Sequence, residues 1–183
     1  MFLDATLGFL LPGNPQSMVS TAGTAIQIGN IYDLLGQGVG VVPSNTIIGN
    51  SATFGTDFGI GAEKMQLQVV VGTAFTTSTA ATLDVYFQGA PDNGSAQPGT
   101  WQVFQATGPL TAAQLTAGQI IARMDWPPSF PANEAPRFVR LLGVVPSGTD
   151  FTAGTISYAI IVPARDDTGQ KYAQRNYTAP SVV

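Results

Sequence analysis

The sequence predicts an all-β protein: an antiparallel β-sandwich, a jelly roll of about eight strands, with an extended N-terminal arm and a C-terminal tail. Three observations carry this. Apolar residues recur with a period of two, and turn signals break the chain at short intervals. No stretch sustains the period of an amphipathic helix. The 21 glycines and 13 prolines among the 183 residues supply the turns.

The elements follow in chain order. Residues 1–24 are apolar but broken by Pro12, Gly13 and Pro15, so they are expected to run as an extended arm. The sandwich is expected over 25–163, with a first strand at 25–28. Residues 29–62 hold eight glycines and only two charges, Asp33 and Asp57. That is too glycine-rich for a helix and too apolar for a solvated linker. A Gly-rich insertion is placed near 36–61, with a short strand at 39–42. Residues 66–71 set Leu67, Val69 and Val71 on one face and Gln66 and Gln68 on the other. Thr76-Thr77-Ser78-Thr79 forms a hydroxyl-rich loop. Residues 82–88 alternate cleanly: Leu83, Val85 and Phe87 inward, Thr82, Asp84, Tyr86 and Gln88 outward.

Pro91-Asp92-Asn93-Gly94 is a strong turn, because proline presets φ and Asn-Gly tolerates positive φ. A strand at 101–105 follows, then one helical turn at 111–115. Thr111 and Gln114 have capping-box spacing there, and Gly118 is placed to end the turn. A strand at 120–124 stops before Pro127, Pro128 and Pro131. Residues 138–145 are apolar on both faces apart from Arg140, which predicts a central strand with Gly143 at a bulge. Ser147-Gly148-Thr149-Asp150 has the character of a hairpin connection into a strand at 155–160. The polar tail, 164–183, carries Arg165, Asp166, Asp167, Lys171 and Arg175 together with Tyr172 and Tyr177.

Composition narrows function. The chain has no histidine and no cysteine. This removes the commonest general base, the commonest metal ligands, the most reactive nucleophile and any disulfide. Charged residues make up 10%, against about 25% in an ordinary domain. The net charge is −4 and the only lysines are Lys64 and Lys171, so no basic patch is available for nucleic acid or for an anionic membrane. No apolar run reaches the roughly 18 residues of a membrane span. The first residues lack the basic region of a secretion signal, so glycosylation of Asn93-Gly94-Ser95 or Asn176-Tyr177-Thr178 is not expected.

Chemistry would have to rest on carboxylates, hydroxyls or lysine. Asp125 beside Trp126 has the look of a sugar site, but a strand end before a proline-rich loop explains it as well. Asp84 faces outward as a solvated carboxylate. Asp166-Asp167 and Asp92/Asn93 resemble fragments of a calcium site, but calcium needs about six to eight oxygens. Gly36-x-Gly38-x-Gly40 lacks the Lys-Ser/Thr of a phosphate loop. The sequence therefore predicts no catalytic residue, no metal site and no cofactor. The stronger candidates are contact residues. Phe2, Leu3, Leu7, Phe9, Leu10 and Leu11 crowd the arm and are expected either to pack on the sandwich or to press on another subunit. Tyr172, Arg175 and Tyr177 are interface-type residues in the tail.

Read in order, several segments resemble the jelly-roll capsid cement proteins of tailed bacteriophages, of the Bordetella-phage type. Phe2-Leu3-Asp4-Ala5 looks like that family's start. Val69-Val70-Val71-Gly72-Thr73-Ala74-Phe75, followed by Ala81-Thr82-Leu83-Asp84-Val85, looks like its first core strand pair. Leu115-Thr116-Ala117-Gly118-Gln119 resembles the turn before its next strand. Arg137-Phe138-Val139-Arg140-Leu141, then Phe151-Thr152-Ala153-Gly154-Thr155-Ile156, looks like its closing hairpin. The likeness spans about residues 1–30 and 64–162, and 36–61 departs from it as an insertion.

The resemblance implies a structural virion protein, made in the host cytoplasm, that decorates the outer surface of the phage head. It implies contact with the major capsid protein and self-association, a dimer favoured over a trimer. It transfers no catalytic residue. The alternative is a carbohydrate-binding jelly-roll module of a fibre or enzyme, with Trp101, Trp126 and Tyr86 as stacking platforms. On the cement reading, residues 1–11 are expected to be dispensable for folding and needed for attachment.

Overall fold

The computed structural model describes residues 8–19, 23–34, 65–126 and 136–163. Over these residues the chain is built of β-strands with a single 3₁₀ turn, and every strand pairing is antiparallel. The strands are β1 (Gly8–Leu10), β2 (Gln16–Ser17), β3 (Ala25–Asp33), β4 (Met65–Val71), β5 (Thr76–Thr77), β6 (Thr82–Ala90), β7 (Gln102–Ala106), β8 (Leu110–Thr111), β9 (Ile120–Trp126), β10 (Phe138–Val144), β11 (Phe151–Ala153) and β12 (Thr155–Pro163).

Two sheets pack face to face as a β-sandwich. The first runs β1–β12–β4–β9, with β2 also on β12. The second runs β3–β10–β6–β7, with β8 on β6. A two-stranded ribbon joins β5 to β11. The pairs are nested: β1 with β12, β3 with β10, β4 with β9, β6 with β7. The strands thus trace one long antiparallel ribbon whose tip is the 91–101 loop. Successive main strands lie in different sheets, β6 and β7 apart.

The period of two sets what is buried. Leu67, Val69 and Val71 of β4 meet Leu83, Val85 and Phe87 of β6 and Val139 and Leu141 of β10 in one core, all of them 1% exposed or less. Phe75 and Phe151 close one end of the sandwich edge to face, ring centres 4.9 Å apart. The helical turn expected at 111–115 is the 3₁₀ turn Ala112–Gln114. Gln114 Oε1 accepts hydrogen bonds from both the Thr111 N–H and the Thr111 hydroxyl, each 3.0 Å.

Several expectations are corrected. The 147–150 turn joins no hairpin, because β10 and β12 lie in different sheets. The same holds for the supposed first core pair, β4 and β6. Gly143 marks no bulge against β6, whose register runs unbroken past it. A Cβ there would press on the ε-methyl of Met18, the movable end of a flexible side chain. The irregularity sits in β3 instead, where Val139 faces Tyr32 and Leu141 faces Ile28. Gly29 takes φ +66 within it, and a Cβ there would collide with the Phe9 carbonyl. The expected strand at 39–42 lies outside the described residues.

The arm is corrected most. Residues 8–18 belong to the sandwich. Phe9 is fully buried, edge-on to Tyr32 at 4.8 Å and to Phe87 at 6.2 Å between ring centres. The Tyr32 hydroxyl donates to the Gly8 carbonyl at 2.5 Å. Gln16 accepts from the Gly29 N–H at 2.8 Å and donates to the Gln27 carbonyl at 2.5 Å. Of the two expectations for the arm, packing on its own sandwich is what Phe9 and Leu10 do; the extended run outside the sheets weighed the prolines and not the bonds that Gln16 makes to a distant bulge.

Removing residues 1–11 is therefore expected to unfold or severely weaken the sandwich. Phe9→Ala should cost about 3–5 kcal/mol and Tyr32→Phe about 1 kcal/mol. Urea denaturation followed by circular dichroism checks both; an unchanged midpoint for Phe9→Ala would contradict the placement.

Candidate functional site

The outer face of the second sheet brings Trp101, Tyr86 and Arg140 together, residue types that interfaces favour. Alternation decides which side chains reach it. Arg140 on β10 faces Gln88 on β6, and Leu142 faces Tyr86. On β7, Val103 lies opposite Gln88 and Ala106 opposite Tyr86. Val103 is 49% exposed, one of two large hydrophobic residues that stand out into solvent among those described. Gln27 of β3 continues the row beyond Leu142.

Arg140 is the fixed point of this face. Its guanidinium carbon lies 4.1 Å from the centre of the Trp101 ring. Its Nε donates to Gln88 Oε1 at 2.9 Å, and Gln88 is itself buried. Ring and amide therefore hold the guanidinium plane in one place. Burial pulls the pKa of Arg140 below its usual value, since desolvation disfavours the charged form. The residue stays a cation, because arginine starts far above any working pH. Among the described residues no carboxylate pairs with it. Asp84, two rows along the same face, accepts instead from the Thr107 hydroxyl at 3.2 Å.

Arg137, three residues earlier, is the opposite case. Its Nε and Nη2 grip Asp33 at 3.0 and 2.8 Å, its Nη1 donates to Asp92, and its guanidinium lies over Phe138 at 5.0 Å. The Asp33 side-chain hydrogen bond raises its pKa further; desolvation opposes this, and the Asp92 hydrogen bond and the charges of both carboxylates add to the rise. Asp92 also anchors its own loop, accepting from Gly94 N–H at 2.9 Å and Ala96 N–H at 3.0 Å. Desolvation pushes the Asp92 carboxyl up, but the Gly94 bond, Arg137 and the Ala96 bond together hold it below the usual carboxylate range. This cluster ties β3, β10 and the 91–99 loop together, and its charges are spent on one another.

The residues singled out from sequence fall as follows. Phe9 and Leu10, expected at a subunit contact, are enclosed by the chain's own two sheets, 0% and 8% exposed. Leu11 is half-buried and folds back over Gly8. Phe2, Leu3, Leu7, Tyr172, Arg175 and Tyr177 lie outside the described residues, as do the 36–61 insertion and the 164–183 tail. Trp101 and Tyr86 share the platform; the side chain of Trp126 is outside the described set. Asp125 is exposed on the outer face of the first sheet, opposite Gln66. Asp92 and Asn93 form side-chain-to-backbone turns. Among the described residues no three His, Cys, Asp or Glu side chains gather as a metal site would require. A cleft of about 350 Å³ beside the 3₁₀ turn is lined by Leu110, Ala113, Gln114, Gln119, Ile120 and Ile121, none of them ionisable.

What the sequence reading missed was Arg140 as a surface group. The signal was there: a single charge interrupting an apolar run. Comparison with models of known protein families and with curated proteins finds no match to this chain.

Two outcomes follow from this geometry. A double-mutant cycle on Trp101→Ala and Arg140→Ala, read by urea denaturation, should give a coupling of about 0.5–1 kcal/mol. Separately, a carboxyl held low when folded adds stability above its unfolded pKa, and that stability is lost as pH falls through the folded value. The wild type should therefore lose more stability than Asp92→Asn over roughly pH 5 to 2; parallel pH profiles for the two would count against the clamp.

Proposed function

We propose that this chain is a structural protein of a virion, a cement protein that binds the outside of a tailed-phage head and ties major capsid protein subunits together. The nested strand order supports a jelly roll, since such a fold is an antiparallel ribbon rolled into two sheets. Four of the segments that carry the family resemblance, all within the described residues, contribute to two contacts. Phe75 and Phe151, from two of them, stack on each other, and β6 and β10, from two others, pair along their length.

The observation that carries the reading is the charge-poor outer face with Trp101, Arg140 and Tyr86 at its centre. These are the residue types that dominate protein–protein contacts energetically. A shell repeats one binding site many times, so a modest contact per copy suffices. The carbohydrate alternative is weakened by Arg140, which occupies one face of the Trp101 ring that a sugar would need for stacking.

The test is reconstitution. Heads purified without this protein, mixed with it and imaged by electron microscopy, should carry it at regular sites on the outer surface. They should also withstand higher temperature before releasing DNA. Protein that stays in the supernatant, or heads equally fragile with and without it, would refute the proposal.

A further inference from the structure

The two arginines of this region pose a contrast. Arg137 has two carboxylates. Arg140 has none among the described residues, although it is half-buried and its Nε is already committed to Gln88. Of its five N–H donors, the four on Nη1 and Nη2 have no acceptor among the described residues. Neither nitrogen is among the buried polar atoms without a partner, so both reach solvent. The guanidinium, oriented by the indole ring and the amide, therefore keeps its Nη1–Nη2 edge in contact with solvent.

We propose that this edge receives a carboxylate, an Asp or Glu side chain of a different protein that docks on the Trp101–Arg140–Tyr86 face. An arginine fork matches a carboxylate with two parallel hydrogen bonds. Around it the face offers Val103, Leu142 and Ala106, which suit an acidic residue set in an apolar surround. A polyanion is poorly matched. Among the described residues the face carries one cation and Asp84, on a chain of net charge −4. A second copy is poorly matched too, because a two-fold contact centred here would set Arg140 against Arg140. Desolvating the charge further on docking is favourable only if its counter-charge arrives with the partner.

The identity of the partner rests on the cement reading; the carboxylate specificity does not. Two arms keep them apart. In the first, the isolated protein is titrated with sodium acetate against sodium chloride at equal ionic strength. The Arg140 Nε–H and Trp101 Nε1–H signals are followed by NMR. A saturable shift with acetate and none with chloride, abolished at Trp101 in Arg140→Gln, is expected. No saturable shift with acetate overturns the proposal whatever the heads do.

In the second arm, Arg140→Gln and Arg140→Lys are first checked for an unchanged urea midpoint, then bound to heads lacking the protein. Arg140→Gln should bind roughly tenfold or more weakly, and Arg140→Lys should fall between it and wild type. Treatment of the Arg140→Lys complex with a zero-length carbodiimide should join the amine to a head carboxylate as an amide, with loss of water. Mass spectrometry identifies that residue. Arg140→Gln binding within about twofold of wild type, with no cross-link at position 140, overturns the inference and leaves the cement reading intact. Failure of the wild type to bind heads, with the acetate shift present, does the reverse.

Discussion

The sandwich depends on a strip of chain that is bonded to both of its sheets. Residues 8–17 pair through β1 and β2 with β12 of the first sheet. The same strip reaches the second sheet through the Tyr32 hydroxyl on the Gly8 carbonyl and through Gln16 on the β3 bulge. Two stacked sheets held by apolar contact alone could slide, because burial is not directional. The strip fixes their offset with directed bonds. Phe9 then fills the seam between them, against Tyr32 and Phe87. Gly29 follows from this: the bulge can approach the Phe9 carbonyl only where no Cβ intervenes.

The long strands were legible and the short ones were not, for a physical reason. A strand with one buried face must alternate, so β4, β6 and β12 announce themselves in Leu67-Val69-Val71, Leu83-Val85-Phe87 and the run after Thr155. Strands of two or three residues, such as β2 and β5, are too short to hold a period. They exist because distant partners supply their bonds: Thr155 and Ile156 for β2, Phe151 and Ala153 for β5. Connectivity was equally hidden. The turn at 147–150 has the same residues whether it closes a hairpin or carries the chain across the core. What decides is the pairing of β10 with β3 and β6, whose residues are remote in sequence.

The candidate site was half legible. Tyr86 and Trp101 could be picked out as aromatic residues at strand positions, and Arg140 as a lone charge in an apolar run. Their assembly could not. It needs the register that sets Arg140 against Gln88 and the turn that brings Trp101 across two strands. The apolar arm misled for the complementary reason. Hydrophobic residues near a terminus carry no label saying whether they cover their own core or another's, and Phe9 covers its own.

Scarcity of charge gives Arg140 its meaning. In a chain that is 10% charged, each ion stands out against a weakly polar background, and its partner is a specific group rather than a diffuse atmosphere. Arg137 illustrates the settled case. Two carboxylates and an aromatic face surround it, and the result is a joint between strands. Arg140 has the aromatic face and one amide, and its outer edge is open. Had its task been to brace the sheet, the arrangement three residues away shows how this fold does that: it brings acids from β3 and from the 91–99 loop. Among the described residues no acid is brought to Arg140, and Asp84, on the same face, is turned to Thr107 instead. A cation that is partly desolvated, rigidly held and left without a counter-ion is costly within the chain alone. The cost is offset when the counter-ion belongs to whatever the face meets.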